Sequence, residues 1–120
     1  MAVITPTRSV EQRMLALARA NEIRSARSRL KRDIAAGRVL VIDMLADPPE
    51  YVHTMKVFEL LLAQPWHGRV KVGKLLGRVR VSSVKTVGDL SARQRWELVA
   101  ALWAVATPLE RARYEEGPAA

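Results

Sequence analysis

His67-Gly68-Arg69-Val70-Lys71-Val72-Gly73-Lys74-Leu75-Leu76-Gly77 is the stretch on which the fold turns. A glycine turn leads into a short segment whose first residues are basic. A helix start presents free backbone N–H groups and the positive end of the helix dipole, so it suits an anion. Arg69, Lys71 and Lys74 add full charges there, which makes phosphate the natural partner. Gly68-x-x-x-x-Gly73-Lys74 nearly spells a nucleotide-binding P-loop, and a P-loop would require a buried strand before it and an α/β fold. Two features oppose this. Leu75 stands where Ser or Thr would hold magnesium, and Gln64-Pro65-Trp66 precedes the glycine. The apolar run upstream, 57–62, reads as a helix stopped by Pro65, with Thr54 as a candidate cap. The stretch is therefore expected to be a turn followed by a helix over residues 70–79.

The same logic extends outward. Ser9-Val10-Glu11-Gln12 fits a capping box, and neither Pro nor Gly occurs until Gly37, so one long helix is expected over 10–36. Ile23, Ala26, Leu30 and Ile34 form its core stripe. Arg24, Arg27 and Lys31 run parallel to it, with Arg29 and Arg32 alongside; taken alone, such a face is more often solvated than functional. Residues 39–45 are apolar and short; Asp43 within the run and the lack of a partner strand favour a helix. Asp47-Pro48-Pro49-Glu50 makes a turn, 54–63 the next helix, and 79–90 a loop with one or two turns. Leu90-Ser91-Ala92-Arg93-Gln94 opens a last helix that ends near 106 at Thr107-Pro108, with Leu98, Leu102 and Val105 facing the core. Arg93 and Arg95 in its first turn oppose the dipole at about 0.3–1 kcal/mol each, and a bound phosphate would reverse that sign. The expected architecture is all-α with about five helices. It comprises a flexible lead at 1–8, one helical domain over 9–107, and a flexible tail at 108–120.

The 120 residues suit a single domain with a modest core, and 49% hydrophobic content is enough to fold it. No run of about 18 apolar residues suggests a membrane span, and the start lacks the pattern of a signal peptide. With no cysteine there are no disulfides and no thiolate metal sites. The net charge of +8 is unevenly spread: +6 over 8–38, −3 over 39–60, +7 over 61–95 and −2 over 96–120. Two basic blocks separated by acidic ones are the footprint of a polyanion partner.

Three motifs in register carry a specific resemblance. Met55-Lys56-Val57-Phe58-Glu59-Leu60-Leu61, Pro65-Trp66-His67-Gly68-Arg69-Val70-Lys71 and Arg93-Gln94-Arg95 resemble the actinobacterial integration host factor family, without gaps from Met55 to about Leu102. The resemblance implies a small helical nucleoid-associated protein with a helix–two-turns–helix unit. It also implies binding of double-stranded DNA mostly through phosphates, bending or compaction of that DNA, and in some cases a phage integrase as a further partner. By position, the family's Gly-Lys turn falls on Gly68 and Arg69, its next basic residue on Lys71, its Lys after Met on Lys56, and its Arg-Gln-Arg on Arg93, Gln94 and Arg95. His67 and Trp66 depart from the usual residues at the tip. Of the usual Arg-Arg pair before the last helix only Lys85 is basic, and the chain beyond Trp103 is longer than usual. A divergent or phage-encoded member would fit.

The candidate DNA-binding residues are Lys56, His67, Gly68, Arg69, Lys71, Lys74, Arg78, Arg80, Lys85, Arg93 and Arg95, with Arg24, Arg27 and Lys31 on the first helix. Trp66 reads as a lid on the turn rather than a wedge into DNA, His67 as a surface turn histidine, and Trp96 and Trp103 as core or subunit contacts. His53, Asp47 and Glu50 are too few for a metal site. No nucleophile–base set and no pair of buried carboxylates can be argued, so no enzyme, cofactor or small-molecule substrate is expected. The expectation is a cytoplasmic, nucleoid-associated architectural protein of low sequence specificity. An RNA- or ribosome-associated protein is the alternative, followed by a helical adaptor whose charge serves only solubility.

Overall fold

A computed structural model describes residues 9–65 and 67–117. Among them are six α-helices: α1 Val10–Ala35, α2 Val41–Ala46, α3 Val57–Leu62, α4 Arg69–Val79, α5 Ala92–Val105 and α6 Pro108–Glu116. Two 3-10 turns, Glu50–Val52 and Val87–Asp89, complete the regular structure, so the all-α expectation holds.

The capping boxes decide where α1 and α5 begin. Ser9 Oγ accepts from Gln12 N (3.1 Å) while the Gln12 side chain accepts from Ser9 N (2.9 Å). Ser91 and Gln94 do the same for α5. Gly37, at φ +79°, turns the chain after α1, a backbone conformation that suits glycine. α4 ends instead on a left-handed arginine: Arg80 has φ 57° and ψ 47°. Val81 N donates to Leu76 O (2.9 Å) and Val81 is buried, which completes a Schellman-type stop without glycine.

Two expectations are corrected. Thr54 does not cap α3: the helix starts later, at Val57, after Lys56 with no side-chain cap. Thr54 is held instead by Arg27. Residues 108–116, expected as part of a frayed tail, form α6. Thr107-Pro108 ends α5 and also starts the next helix, because Thr107 and Glu110 make a third capping box with Pro108 at the first helical position. Residues 1–8 and the reading of Trp66 as a lid lie outside the described residues.

α4 packs on α3 and α5, α2 on α5, and α1 on the Glu50–Val52 turn. Leu45, Met55, Leu60, Leu61, Leu98 and Leu102 are fully buried between them. Only the second half of α1 joins this core, through Leu30 and Ile34; Val10, Met14, Leu15 and Leu17 are 56–71% exposed. The projecting half-helix raises the radius of gyration to 17.8 Å, against about 14 Å for a compact chain of this length.

An antiparallel bridge between Lys56 and Thr86 ties the start of α3 to the loop before α5. Val57 N donates to Lys85 O (3.0 Å), Val87 N to Met55 O (2.9 Å) and Gly88 N to His53 O (2.9 Å). A Cβ on Gly88 would stand 2.9 Å from His53 O, a backbone atom that cannot move aside cheaply. Gly88→Ala is expected to cost about 1–3 kcal/mol, read as a lower urea midpoint at unchanged m.

Candidate nucleic-acid interface

α4 carries the densest group of outward basic residues among the candidates. Its core face is Val72, Leu75, Leu76 and Val79. Turned well away from that face, Lys71, Lys74 and Arg78 follow one another at helical spacing. With His67, Leu75 and Val105 they line a groove of about 220 Å³ between α4 and the end of α5. None of the three cations has an ion-pair partner among the described residues. No acidic residue lies in the first turn of α4, and its cap, Gly68, contributes no side chain. The helix dipole and the side-chain charges therefore reinforce one another at this end. Arg69 and Val70, the latter 73% exposed, open the same helix, and Arg80 follows its last residue.

The other expected residues divide. The Lys56–Thr86 bridge places Lys56 beside Lys85, Lys56 exposed and Lys85 half-buried. Arg93 points outward with its side chain 81% exposed, and Glu97 lies 3.9 Å away on the same helix. Arg95 turns inward instead: Nη1 donates to Leu45 O (2.6 Å) and Nη2 to Val87 O (3.1 Å), which joins α2, the second 3-10 turn and α5. Of the first-helix stripe, Arg27 donates to Tyr51 O (3.4 Å) and to Thr54 Oγ1, and Lys31 pairs with Glu59. Both fasten α1 to the body. Arg24 stays exposed and, among the described residues, bonds within its own helix, at Asn21 Oδ1 (2.9 Å) and Ala20 O (3.5 Å).

His67 departs furthest from its expected place on the surface. It is 4% exposed, and its Nε2 is 3.6 Å from Oε1 of Glu110, which is 6% exposed. Neither ring nitrogen has a hydrogen-bond partner among the described residues. Burial holds the imidazole below its ordinary pKa, aided by Lys71 and opposed by Glu110. Behind it, Gln64 Nε2 donates to the Tyr114 hydroxyl (3.2 Å), and burial raises the Tyr114 phenol. Tyr114 also meets Trp103 with ring centroids 5.8 Å apart, and the Arg111 guanidinium lies 5.7 Å from the Trp103 centroid. Trp103 is thus partly covered by α6, whereas Trp96 is 56% exposed and is no core residue. Sequence alone does not mark Glu110 and Tyr114 as site residues, because they lie in the polar segment after Thr107-Pro108. The Thr107–Glu110 capping box was the signal that could have revealed them.

Among the described residues no group of three or more His, Cys, Asp or Glu is placed to hold a metal ion, and no helix is long and apolar enough to cross a membrane.

No protein-family model matches the chain. It is 32% identical over 96 residues to the integration host factor of Mycobacterium tuberculosis (strain ATCC 25618 / H37Rv), across 78% of this chain and 91% of that protein. Its fold matches a solved structure of sIHF bound to an 8-base-pair palindromic DNA, with a TM-score of 0.62 at 22% identity, covering 68% of this chain and 93% of the other.

Proposed function

The chain belongs to the integration host factor family, and from that membership we propose that it is an architectural protein that binds double-stranded DNA. The observation that carries this is the basic face of α4. Lys71, Lys74 and Arg78 line one groove from one helix with no ion-pair partner among the described residues, and the helix start beside Lys71 itself favours anions. Arg69, Arg80, Lys56, Lys85 and Arg93 extend the field around it. Arg24, with the neighbouring arginines of α1, forms the second surface. Cations of this kind meet phosphates, so they position the protein and carry little base information; preference among sequences comes from duplex shape and deformability. Two basic surfaces on one duplex bend it, and on two duplexes they bridge them. Arg27, Lys31 and Arg95, occupied within the fold, serve this function by holding its parts in place.

A nucleoid location in the cytoplasm and assistance to a site-specific integrase are the corresponding biological setting, and no catalytic step is part of the proposal. The test is duplex binding as a function of salt. The logarithm of the association constant should fall linearly with the logarithm of salt, at about 0.9 per neutralised phosphate on B-DNA. A slope near 4 or above is expected from the α4 face and its neighbours, at about one phosphate per outward cation. Affinity that does not change with salt would defeat the proposal. Equal affinity for structured RNA would move the assignment to RNA.

A further inference from the structure

We propose that His67 is a proton-linked part of the DNA grip: phosphate seated among Lys71, Lys74 and Arg78 draws a proton onto the imidazole, so duplex binding takes up a proton and strengthens as pH falls. The proposal rests on the DNA-binding assignment above and adds a regulation to that same site.

The geometry carries it. His67 forms a shared wall between the basic groove and a smaller cavity of about 30 Å³. The groove is lined, besides His67, by the cations Lys71, Lys74 and Arg78 with Leu75 of α4, and by Val105 of α5, and Lys71 is the cation whose field reaches the imidazole. Toward the cavity His67 meets Glu110, Arg113 and Tyr114 of α6. Ile34 of α1 and Gly37 after it also line the cavity and bear no charge. The imidazole therefore sits between a place for an anion and a buried carboxylate. Both ring nitrogens are without a hydrogen-bond partner among the described residues, a costly arrangement for a polar group this deeply buried unless a charged state makes use of it.

In the free protein the charged imidazolium faces burial and the field of Lys71, and Glu110 at 3.6 Å only partly offsets them. A DNA phosphate in the groove cancels the Lys71 field and adds an attraction of its own. The imidazolium then lies between two anions, with Nε2 turned toward Glu110. The proton comes from solvent and ends on the ring nitrogen, and no covalent bond changes. The sign follows from linkage. The bound form holds the proton more tightly than the free form, so the protonated form must hold DNA more tightly by the same factor. The gain appears as pH falls through the bound-state pKa. It is complete below the free-state value, which itself lies under the ordinary 6.5.

The test is calorimetric titration of the full chain with a short blunt-ended DNA duplex, at fixed salt, in buffers of different ionisation enthalpy. Between about pH 8 and pH 5.5 the protein should take up a fraction of one proton per site, with affinity rising about two- to tenfold per pH unit. His67→Gln should bind with no proton uptake from this site and a correspondingly flatter pH profile. A wild-type protein that binds with a steep salt slope but takes up no proton overturns the linkage and leaves the DNA assignment standing. Equal uptake by His67→Gln overturns it too.

A measurement on the unaltered chain guards against a variant that fails to fold. In an NMR titration of the ring protons, the duplex, and separately inorganic phosphate, should each move the His67 midpoint upward. His53, exposed and outside the groove, serves as the internal reference. A His67 midpoint unmoved by either ligand overturns the proposal. Should the chain bind no duplex while phosphate still moves His67, the DNA assignment fails and the anion linkage at this groove survives.

Discussion

Changing Lys71, Lys74 and Arg78 together to alanine is expected to lower duplex affinity by about a hundred- to a thousandfold at moderate salt, and to reduce the salt slope by about 2.7. The loss should be nearly uniform across DNA sequences, because contacts to phosphate do not read bases. Each residue projects from the side of α4 turned away from Val72, Leu76 and Val79, and none is engaged in an ion pair among the described residues. Alanine also favours the helix. The thermal midpoint should therefore stay close to that of the parent, with each change worth within about 0.5 kcal/mol. Fluorescence anisotropy against salt, paired with a melting curve, separates the two effects. An unchanged slope would place the grip on another surface.

The second large effect concerns an arginine of the Arg93-Gln94-Arg95 motif on α5, with the opposite consequence. Arg95→Ala is expected to destabilise the protein by about 2–4 kcal/mol, because it removes two charge-assisted hydrogen bonds and leaves their carbonyl acceptors with lost partners. Those acceptors, Leu45 O and Val87 O, belong to residues buried in the core. Lysine in its place presents one ammonium where a forked guanidinium reaches two acceptors, so Arg95→Lys should recover only part of the loss. Arg93→Ala, two positions earlier and mostly exposed, should leave stability within about 0.5 kcal/mol. Urea unfolding of the three variants distinguishes them. Equal destabilisation by Arg93→Ala and Arg95→Ala would refute the division of roles.

These two predictions show where the sequence was legible. Helix starts marked by a Ser–x–x–Gln box were readable to the residue, since the box is a local pair of hydrogen bonds and needs nothing from the rest of the fold. The basic face of α4 was readable because periodicity alone puts Lys71, Lys74 and Arg78 together. Arg95 was not, nor were Arg27 and Lys31. Each has a partner far off in the chain, Leu45 at 50 residues, Tyr51 at 24 and Glu59 at 28, and a cation reads the same in a string whether it faces water or a distant acceptor. His67 was misplaced for a related reason. A histidine before a glycine turn looks exposed until a later helix covers it, and the polar residues of that helix read as a tail.

The half-packed first helix has a thermodynamic consequence. A segment's resistance to opening comes from its tertiary contacts, and segments shorter than about 12–15 residues are marginal helices by themselves. Along α1 the first buried side chain is Leu30, and the exposed Val10, Met14, Leu15 and Leu17 all precede Ile23, the first half-buried large residue, by about two to four turns. Amide exchange should accordingly slow from one end of this helix to the other, from near-unprotected at the first turns to the global rate around Leu30 and Ile34. A body that lies along the first half meets a helix it must help to hold, so part of the contact energy goes into ordering the segment. Association there is weak for the area it covers, and quick to reverse.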